Sequence, residues 1–263
     1  MNVKLYKSKS WLEQKYTNEK LSSNQIGREC EVHAATIRNW LKKLNLEIRS
    51  REEAKHLRFL RQANHCNLSP EAIEWITGEL LGDGCLYSYS SYSANFCYTS
   101  KFYAYIRYIY KTLKSFGIER SGRIMRYRNK QFGNSTYSYN SLLYEELLPL
   151  RNQWYSNGKK IVPRDIKLTP SMIRQWYVGD GSLILDSTRP AINLGTCGFP
   201  VLDVEWLVEQ LIKLGFKTTR QSGNNTIRIS VFSTQEFLDY IGPCPVSCYQ
   251  YKWNYLEKKK EVS

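Results

Sequence analysis

Asp83 and Asp180 each close the same short phrase. Ile76–Gly84 reads ITGELLGDG and Ile173–Gly181 reads IRQWYVGDG, so an apolar, helix-like run ends twice in Gly-Asp-Gly. The aspartates stand 97 residues apart, an interval that suggests two related halves whose paired helices bring the carboxylates together. Two carboxylates about 4 Å apart repel by roughly 4 kcal/mol at an effective dielectric near 20. Divalent cations between and around them remove that repulsion, and the same ions serve phosphodiester hydrolysis. The expected chemistry is metal-dependent cleavage of a phosphodiester backbone.

Composition agrees with a polyanionic partner. The 263 residues suffice for one large domain or two to three small ones, and 42% hydrophobic residues can build a core. The formal charge of +14 favours nucleic acid. An acidic membrane is the weaker candidate, because no run of 18 apolar residues exists and the opening MNVKLYKSKSW lacks a signal-peptide core. A cytoplasmic protein, bacterial or phage-encoded, is expected, with an organellar setting as the alternative. The seven cysteines form no CxxC pair, so a disulfide framework is not expected. Cys244 and Cys248 read as small buried residues rather than half of a zinc site. The three histidines, His33, His56 and His65, all lie in the first quarter of the chain. A histidine-based nuclease or a Ser-His-Asp triad would need histidine in the repeated body, which leaves carboxylate–metal chemistry.

The elements that must position these residues fall into two regions. Residues 1–70 hold fourteen Lys and Arg against seven Asp and Glu, half of the net charge in about a quarter of the length. Trp11, Leu12 and Tyr16 open an amphipathic helix. Ser22 with Gln25 has the form of a capping box, and Leu21 and Ile26 are placed as its hydrophobic staple. Cys30-Glu31-Val32 makes a turn, after which a third helix carries Ile37, Trp40, Leu41 and Leu44 on one face. The region resembles helix-turn-helix DNA-binding modules. It departs from them at Glu31, where glycine is usual because the turn often needs positive φ. Outward positions Ala34, Ala35, Arg38, Asn39 and Lys42 would meet base edges and phosphates. The competing reading is a helical bundle with a solvated charged face. Alternating charge over 47–70 reads as a helix leading into a hinge, with a boundary at residue 68.

The body then divides as 69–158 and 159–263. Pro70 with Glu71 and Glu74 starts a helix that runs to Gly82. Strands at Cys85–Ser90 and Ala94–Thr99, a helix from Phe102 to Phe116, strands at Gly122–Arg128 and Thr136–Asn140, and a helix at Leu142–Trp154 follow. The order αββαββα repeats with a helix at 171–180, strands near 182–187 and 191–195, and a helix at 201–214. Strands near 217–221 and 226–231 and a helix from Thr234 to Ile241 complete it. The expected fold is α+β, a pseudo-twofold pair of αββαββα halves preceded by a small all-α domain.

Further stretches carry a specific resemblance over about residues 71–256. They are Trp154-Tyr155 with Gly158-Lys159-Lys160-Ile161-Val162-Pro163, Leu168-Thr169-Pro170, Trp176–Gly181, Leu194–Phe199 and Tyr251-Lys252. With the two Gly-Asp-Gly helices, they make the chain similar to monomeric LAGLIDADG homing endonucleases of mobile introns. The resemblance implies that the motif helices pair at a pseudo-twofold axis and that each half curves a sheet into a saddle over double-stranded DNA. It implies that Asp83 and Asp180, with Gly82 and Gly179 beside them, ligate Mg²⁺, with Mn²⁺ as a substitute. It also implies that Lys160 and Lys252 orient the hydrolytic water and stabilise phosphate charge, Lys159 being the second candidate in the first half. Gly78 and Gly82 would allow close helix approach, whereas the second helix has Gln175 where the first has Gly78.

Tyr87, Tyr89, Tyr92 and Tyr98 of the first hairpin either read DNA or cover half-buried sheet surface. Arg123, Arg126 and Arg128 are candidates for specificity or phosphate contact, Arg126 and Arg128 sharing a strand face. Arg220, Gln221, Asn224, Asn225 and Arg228 play that part in the second half. Three functions compete: a site-specific endonuclease acting as a monomer, a non-catalytic DNA-binding regulator, and an intron maturase that binds RNA. Retention of both aspartates counts against the regulator.

Overall fold

The computed structural model describes residues 4–62, 64–128, 135–186 and 189–254. They form two compact units, one ending at Ala63 and the other starting at Asn64.

In the smaller unit, helix α1 (Lys9–Glu13) passes into a π-type turn at Gln14–Asn18. It is followed by α2 (Ser23–Glu29), α3 (Ala34–Lys43) and α4 (Arg51–Gln62). The capping box at Ser22 forms: the Gln25 amide donates to Ser22 Oγ (3.3 Å) and the Ser22 amide donates to Gln25 Oε1 (3.0 Å). Leu12, Ile26, Ile37 and Leu41 are fully buried between the helices. Gly27 is required where α2 meets the turn, since a Cβ there would lie 2.6 Å from the Val32 carbonyl oxygen. Glu31 takes φ +54°, so the turn has the left-handed residue that glycine ordinarily supplies. Ala34 is buried rather than outward, because the chain enters α3 against α2; Arg38, Asn39 and Lys42 are exposed. Arg49 fastens the unit. Its guanidinium donates to the carbonyls of Tyr16 (2.7 Å) and Leu21 (2.6 Å) and lies 3.8 Å from the Tyr16 ring centre.

The larger unit repeats one pattern. Helix α5 (Pro70–Leu81) leads to strands β1 (Cys85–Ser90) and β2 (Ser93–Ser100), then α6 (Tyr103–Ser115), β3 (Met125–Arg128), β4 (Ser135–Asn140) and α7 (Leu147–Trp154). A short hairpin, β5 (Tyr155–Ser156) and β6 (Lys159–Lys160), joins this half to the next. Helix α8 (Pro170–Asp180), β7 (Gly181–Asp186), β8 (Arg189–Leu194), α9 (Val201–Lys213), β9 (Thr218–Gln221), β10 (Thr226–Ile229) and α10 (Thr234–Ile241) follow, and a 3₁₀ turn spans Ser247–Lys252. The two large sheets are antiparallel, ordered β1-β2-β4-β3 and β7-β8-β10-β9, so the second reproduces the first strand for strand. One hydrophobic core runs through both halves.

Two element starts differ from expectation by three residues or more, and one hairpin is new. The helix predicted from Leu142 starts at Leu147, because Tyr144 exchanges backbone hydrogen bonds with Ala94 (3.0 and 2.9 Å) and extends the sheet edge. The strand predicted from Gly122 starts at Met125, after Gly122 has turned through φ +68°. The hairpin at 155–160 was not predicted at all. Residue 187, at the end of one predicted strand, lies outside the described residues. Among the described residues no helix is long and apolar enough to cross a membrane.

Candidate active site at the ends of the paired helices

Helices α5 and α8 start alike. Ser69 accepts from the Ala72 amide and Thr169 from the Met172 amide, both at 3.2 Å, and proline follows each cap. They then pack against each other down to their C-terminal ends. Near the middle, a Cβ on Gly78 would lie 2.7 Å from the Met172 carbonyl oxygen and 2.9 Å from Gln175 Cβ. At the ends, a Cβ on Gly82 would lie 3.4 Å from Gly179 Cα, and one on Gly179 would lie 3.1 Å from the Asp83 amide nitrogen. The first glycine of each Gly-Asp-Gly therefore lets the two backbones meet. The second glycine packs on its own helix: a Cβ on Gly84 would lie 2.7 Å from Glu79 O, and one on Gly181 2.4 Å from Tyr177 O. The repeated phrase is a packing requirement that delivers two aspartates to one place.

Asp83 is exposed beyond α5, and the buried Tyr98 hydroxyl lies 3.4 Å from its Oδ2. Asp180 ends α8, where its carbonyl accepts from the Gly195 amide (2.8 Å). Burial, and next the charge of Asp83, push the Asp180 carboxyl up to about 7.

Each half adds a lysine. Lys160 Nζ donates to the carbonyls of Gly82 (3.0 Å) and Gly84 (2.7 Å). Lys252 Nζ donates to those of Tyr177 (3.3 Å), Val178 (2.6 Å) and Gly179 (3.2 Å). Both cap the negative end of their own motif helix. Burial lowers each ammonium to about 8, opposed by attraction to Asp83 and Asp180. Lys159, the other first-half candidate, is exposed.

Between the helices sits a polar cluster that sequence reading missed. The fully buried Glu79 accepts at Oε1 from the Tyr105 hydroxyl (2.7 Å). The Gln175 carboxamide, oriented to satisfy its neighbours, donates to the same oxygen (3.2 Å) and accepts from Tyr108 (3.2 Å) and Trp75 Nε1 (3.1 Å). Burial pushes the Glu79 carboxyl up to about 8. Gln175 thus lies opposite Gly78 and fills the space that the glycine vacates.

The remaining candidates lie on the two sheets. Tyr87 and Tyr89 are exposed on β1, at 53% and 84%, and Arg126 and Arg128 are exposed on β3. Tyr98 differs from its neighbours in the hairpin, because its ring is buried under the motif helices. Arg220 is half-buried and paired with Glu205 of α9 (3.4 Å), and Arg228 is half-buried on β10. Cys244 and Cys248 are half-buried free thiols, and among the described residues no group of three or more His, Cys, Asp or Glu could hold a metal.

Comparison with known proteins follows this geometry. The pattern of the LAGLIDADG DNA endonuclease family matches residues 73–237. An uncharacterized protein of Methanocaldococcus jannaschii, MJ1098, is 28% identical over 210 residues, covering 76% of each chain. The homing endonuclease I-WcaI bound to its DNA recognition sequence has a similar fold, with a TM-score of 0.61 at 20% identity, over 81% of this chain and 97% of that one. I-DmoI in complex with DNA and Ca aligns with a TM-score of 0.42 at 16% identity, over 66% of this chain and 94% of that one. Two sheets of identical strand order, paired helices ending in Gly-Asp-Gly and a family match spanning both make this chain a member of the LAGLIDADG DNA endonuclease family.

Proposed function

We propose that the protein is a site-specific homing endonuclease that makes double-strand breaks in DNA, one aspartate serving each strand. The observation that carries this reading is the backbone contact of Gly82 with Gly179, which sets Asp83 and Asp180 side by side with one lysine per half. Both aspartates come from one chain, so a monomer suffices.

Two oxyanionic side chains, one of them held near 7 by burial and by its neighbour's charge, fit a hard divalent cation. Asp83 and Asp180 would hold it, with Gly82 and Gly179 offering carbonyl oxygens whose second lone pairs remain after the lysine bonds. Mg²⁺ suits this donor set, with Mn²⁺ as a substitute. Such an ion supplies polarisation of the phosphate and activation of water. Lys160 uses two donors on carbonyls and keeps one for a water or a phosphate oxygen. The exposed face of α3, with Arg38, Asn39 and Lys42, would add DNA contacts in the manner of a helix-turn-helix. Tyr87, Tyr89, Arg126, Arg128 and Arg228 would do so from the sheets, while Arg220 would first have to leave Glu205.

The test is cleavage of a randomised duplex library with Mg²⁺, comparing wild type with Asp83→Asn and Asp180→Asn. Metal-dependent enrichment of one long site, lost in both variants, is expected. Sequence-specific binding without cutting, unchanged by either substitution, would place the protein among DNA-binding regulators instead.

A further inference from the structure

The second sheet has an open face that ends in a cluster the reaction does not use. Along β8, Pro190, Ala191, Ile192 and Leu194 are buried, the small Ala191 between its longer neighbours, while Arg189 is exposed and Asn193 is half-buried. Asn193 pairs with Arg228 on β10, and Arg228 with Thr219 on β9. Strand side chains alternate, so Arg189, Asn193, Arg228 and Thr219 share the face opposite the core. Lys217, exposed between the buried Phe216 and Thr218, continues that alternation. Beside it stands Phe232 with 66% of its surface exposed, whereas Phe96, Phe199, Phe216 and Phe237 are buried. Its ring centre lies 5.6 Å from the Arg189 guanidinium and 5.4 Å from the Lys217 ammonium.

The turn that presents Phe232 is tightly bonded. The Ser230 amide donates to the Lys217 carbonyl (2.8 Å), the Lys217 amide to Ser233 Oγ (3.0 Å) and the Ser233 amide to the Ser230 carbonyl (2.9 Å). An adjoining open cleft is lined by Lys217, Thr218, Thr219, Arg228 and Ser230 among others, and among the described residues no carboxylate lines it. A bare ring held in place between two cations suits a ligand that is apolar at one point and anionic on either side. Double-stranded DNA offers this at a thymine, whose 5-methyl group projects into the major groove between phosphates.

We propose that Phe232 contacts a thymine methyl group of the target and that Arg189 and Lys217 hold the phosphates beside it. This rests on the DNA-binding reading above. Strand β8 runs from Arg189 to Leu194, and the next residue, Gly195, bonds to Asp180. Six residues of strand span about 20 Å, which sets the contact about six base pairs from the phosphate at Asp180.

The test uses the duplex enriched by the wild-type protein, with each thymine replaced in turn by uracil, which removes only the methyl group. One replacement about six base pairs from a cut should weaken wild-type binding roughly fourfold, the worth of one buried methyl. Phe232→Ala should be blind to that replacement and equally weakened on the thymine duplex. Arg189→Ala and Lys217→Ala should weaken binding to all sequences and make it less salt-dependent. Phe232→Ala binding as wild type does, or weakened without regard to any thymine, would overturn the inference while the endonuclease reading stands. A wild-type protein that binds no duplex would overturn both. Unfolding curves for Phe232→Ala should match wild type, since the ring is mostly exposed.

Discussion

The two lysines look equivalent by position and differ in what they have left to give. Lys252 is 5% exposed and spends all three of its donors on the carbonyls of Tyr177, Val178 and Gly179, so it is the capping group of α8. Lys160 spends two and retains one. Lys252→Met should therefore lower unfolding stability by about 2 kcal/mol, because buried carbonyls lose their partners. Lys160→Met should cost less stability and slow single-turnover cleavage at least a hundredfold, the scale of one lost catalytic donor. Denaturant titration beside single-turnover cleavage separates the two effects. Equal losses of stability and rate in both variants would refute the distinction. The aspartates were legible because Gly-Asp-Gly occurs twice on apolar runs. Tyr98 was not legible as a partner of Asp83, because a tyrosine in a strand carries no mark of which face it takes. Only the packing of β2 under the helices puts that ring inward.

At the scale of elements, the helix pair shows what pattern reading reaches and where it stops. Ser69-Pro70 and Thr169-Pro170 announce both helix starts, and the glycines announce a close approach. Nothing in the sequence singles out Glu79 within its apolar run, yet it is fully buried and hydrogen-bonded, because Tyr105 from α6 and Gln175 from α8 reach it across the fold. The hairpin at 155–160 was within reach. Asn157-Gly158 is the two-residue turn that favours positive φ at both positions, and both take it, at +49° and +75°. Glu79 also gives this interface a pH signature. Its carboxyl is raised from 4.5 to about 8, so the folded protein binds that proton more tightly than the unfolded chain does. The stability this contributes is complete below pH 4.5 and lost as pH rises to 8. Asp180, raised from 3.8 to about 7, acts in the same direction. Lys160 and Lys252, lowered from 10.5 to about 8, contribute stability that is complete above pH 10.5 and lost as pH falls to 8. The protein without divalent cations should thus be least stable near pH 8, as read by urea midpoints from pH 5 to 10.5. Glu79→Gln keeps a neutral hydrogen-bonding group and should flatten the decline between pH 5 and 8. An unchanged decline in that variant would show that Glu79 is ionised throughout.

For the whole molecule, charge and core are divided differently. The smaller unit has its own buried cluster and its own capped helices. Cys66 and Leu68, by contrast, pack into the core of the larger unit, so a truncation should end at Ala63. The carboxylates, both capping lysines and both sheets all lie after that point. In the function proposed above, exposed Arg38, Asn39 and Lys42 on α3 would add phosphate and base contacts. Each phosphate neutralised contributes about 0.9 to the slope of log affinity against log salt. Removing residues 1–63 should therefore weaken DNA binding and make that slope shallower, while the rate of cutting at saturating DNA stays as it was. Binding titrations from 50 to 200 mM salt, beside single-turnover cleavage, measure both quantities on one substrate. A truncated protein that unfolds cooperatively yet cannot cut at saturating DNA would mean that the smaller unit shapes the active centre. Unchanged affinity and slope would mean that its charge is a solvated face. Lost affinity with cutting preserved is the result that divides the labour: recognition shared by both units, chemistry confined to one.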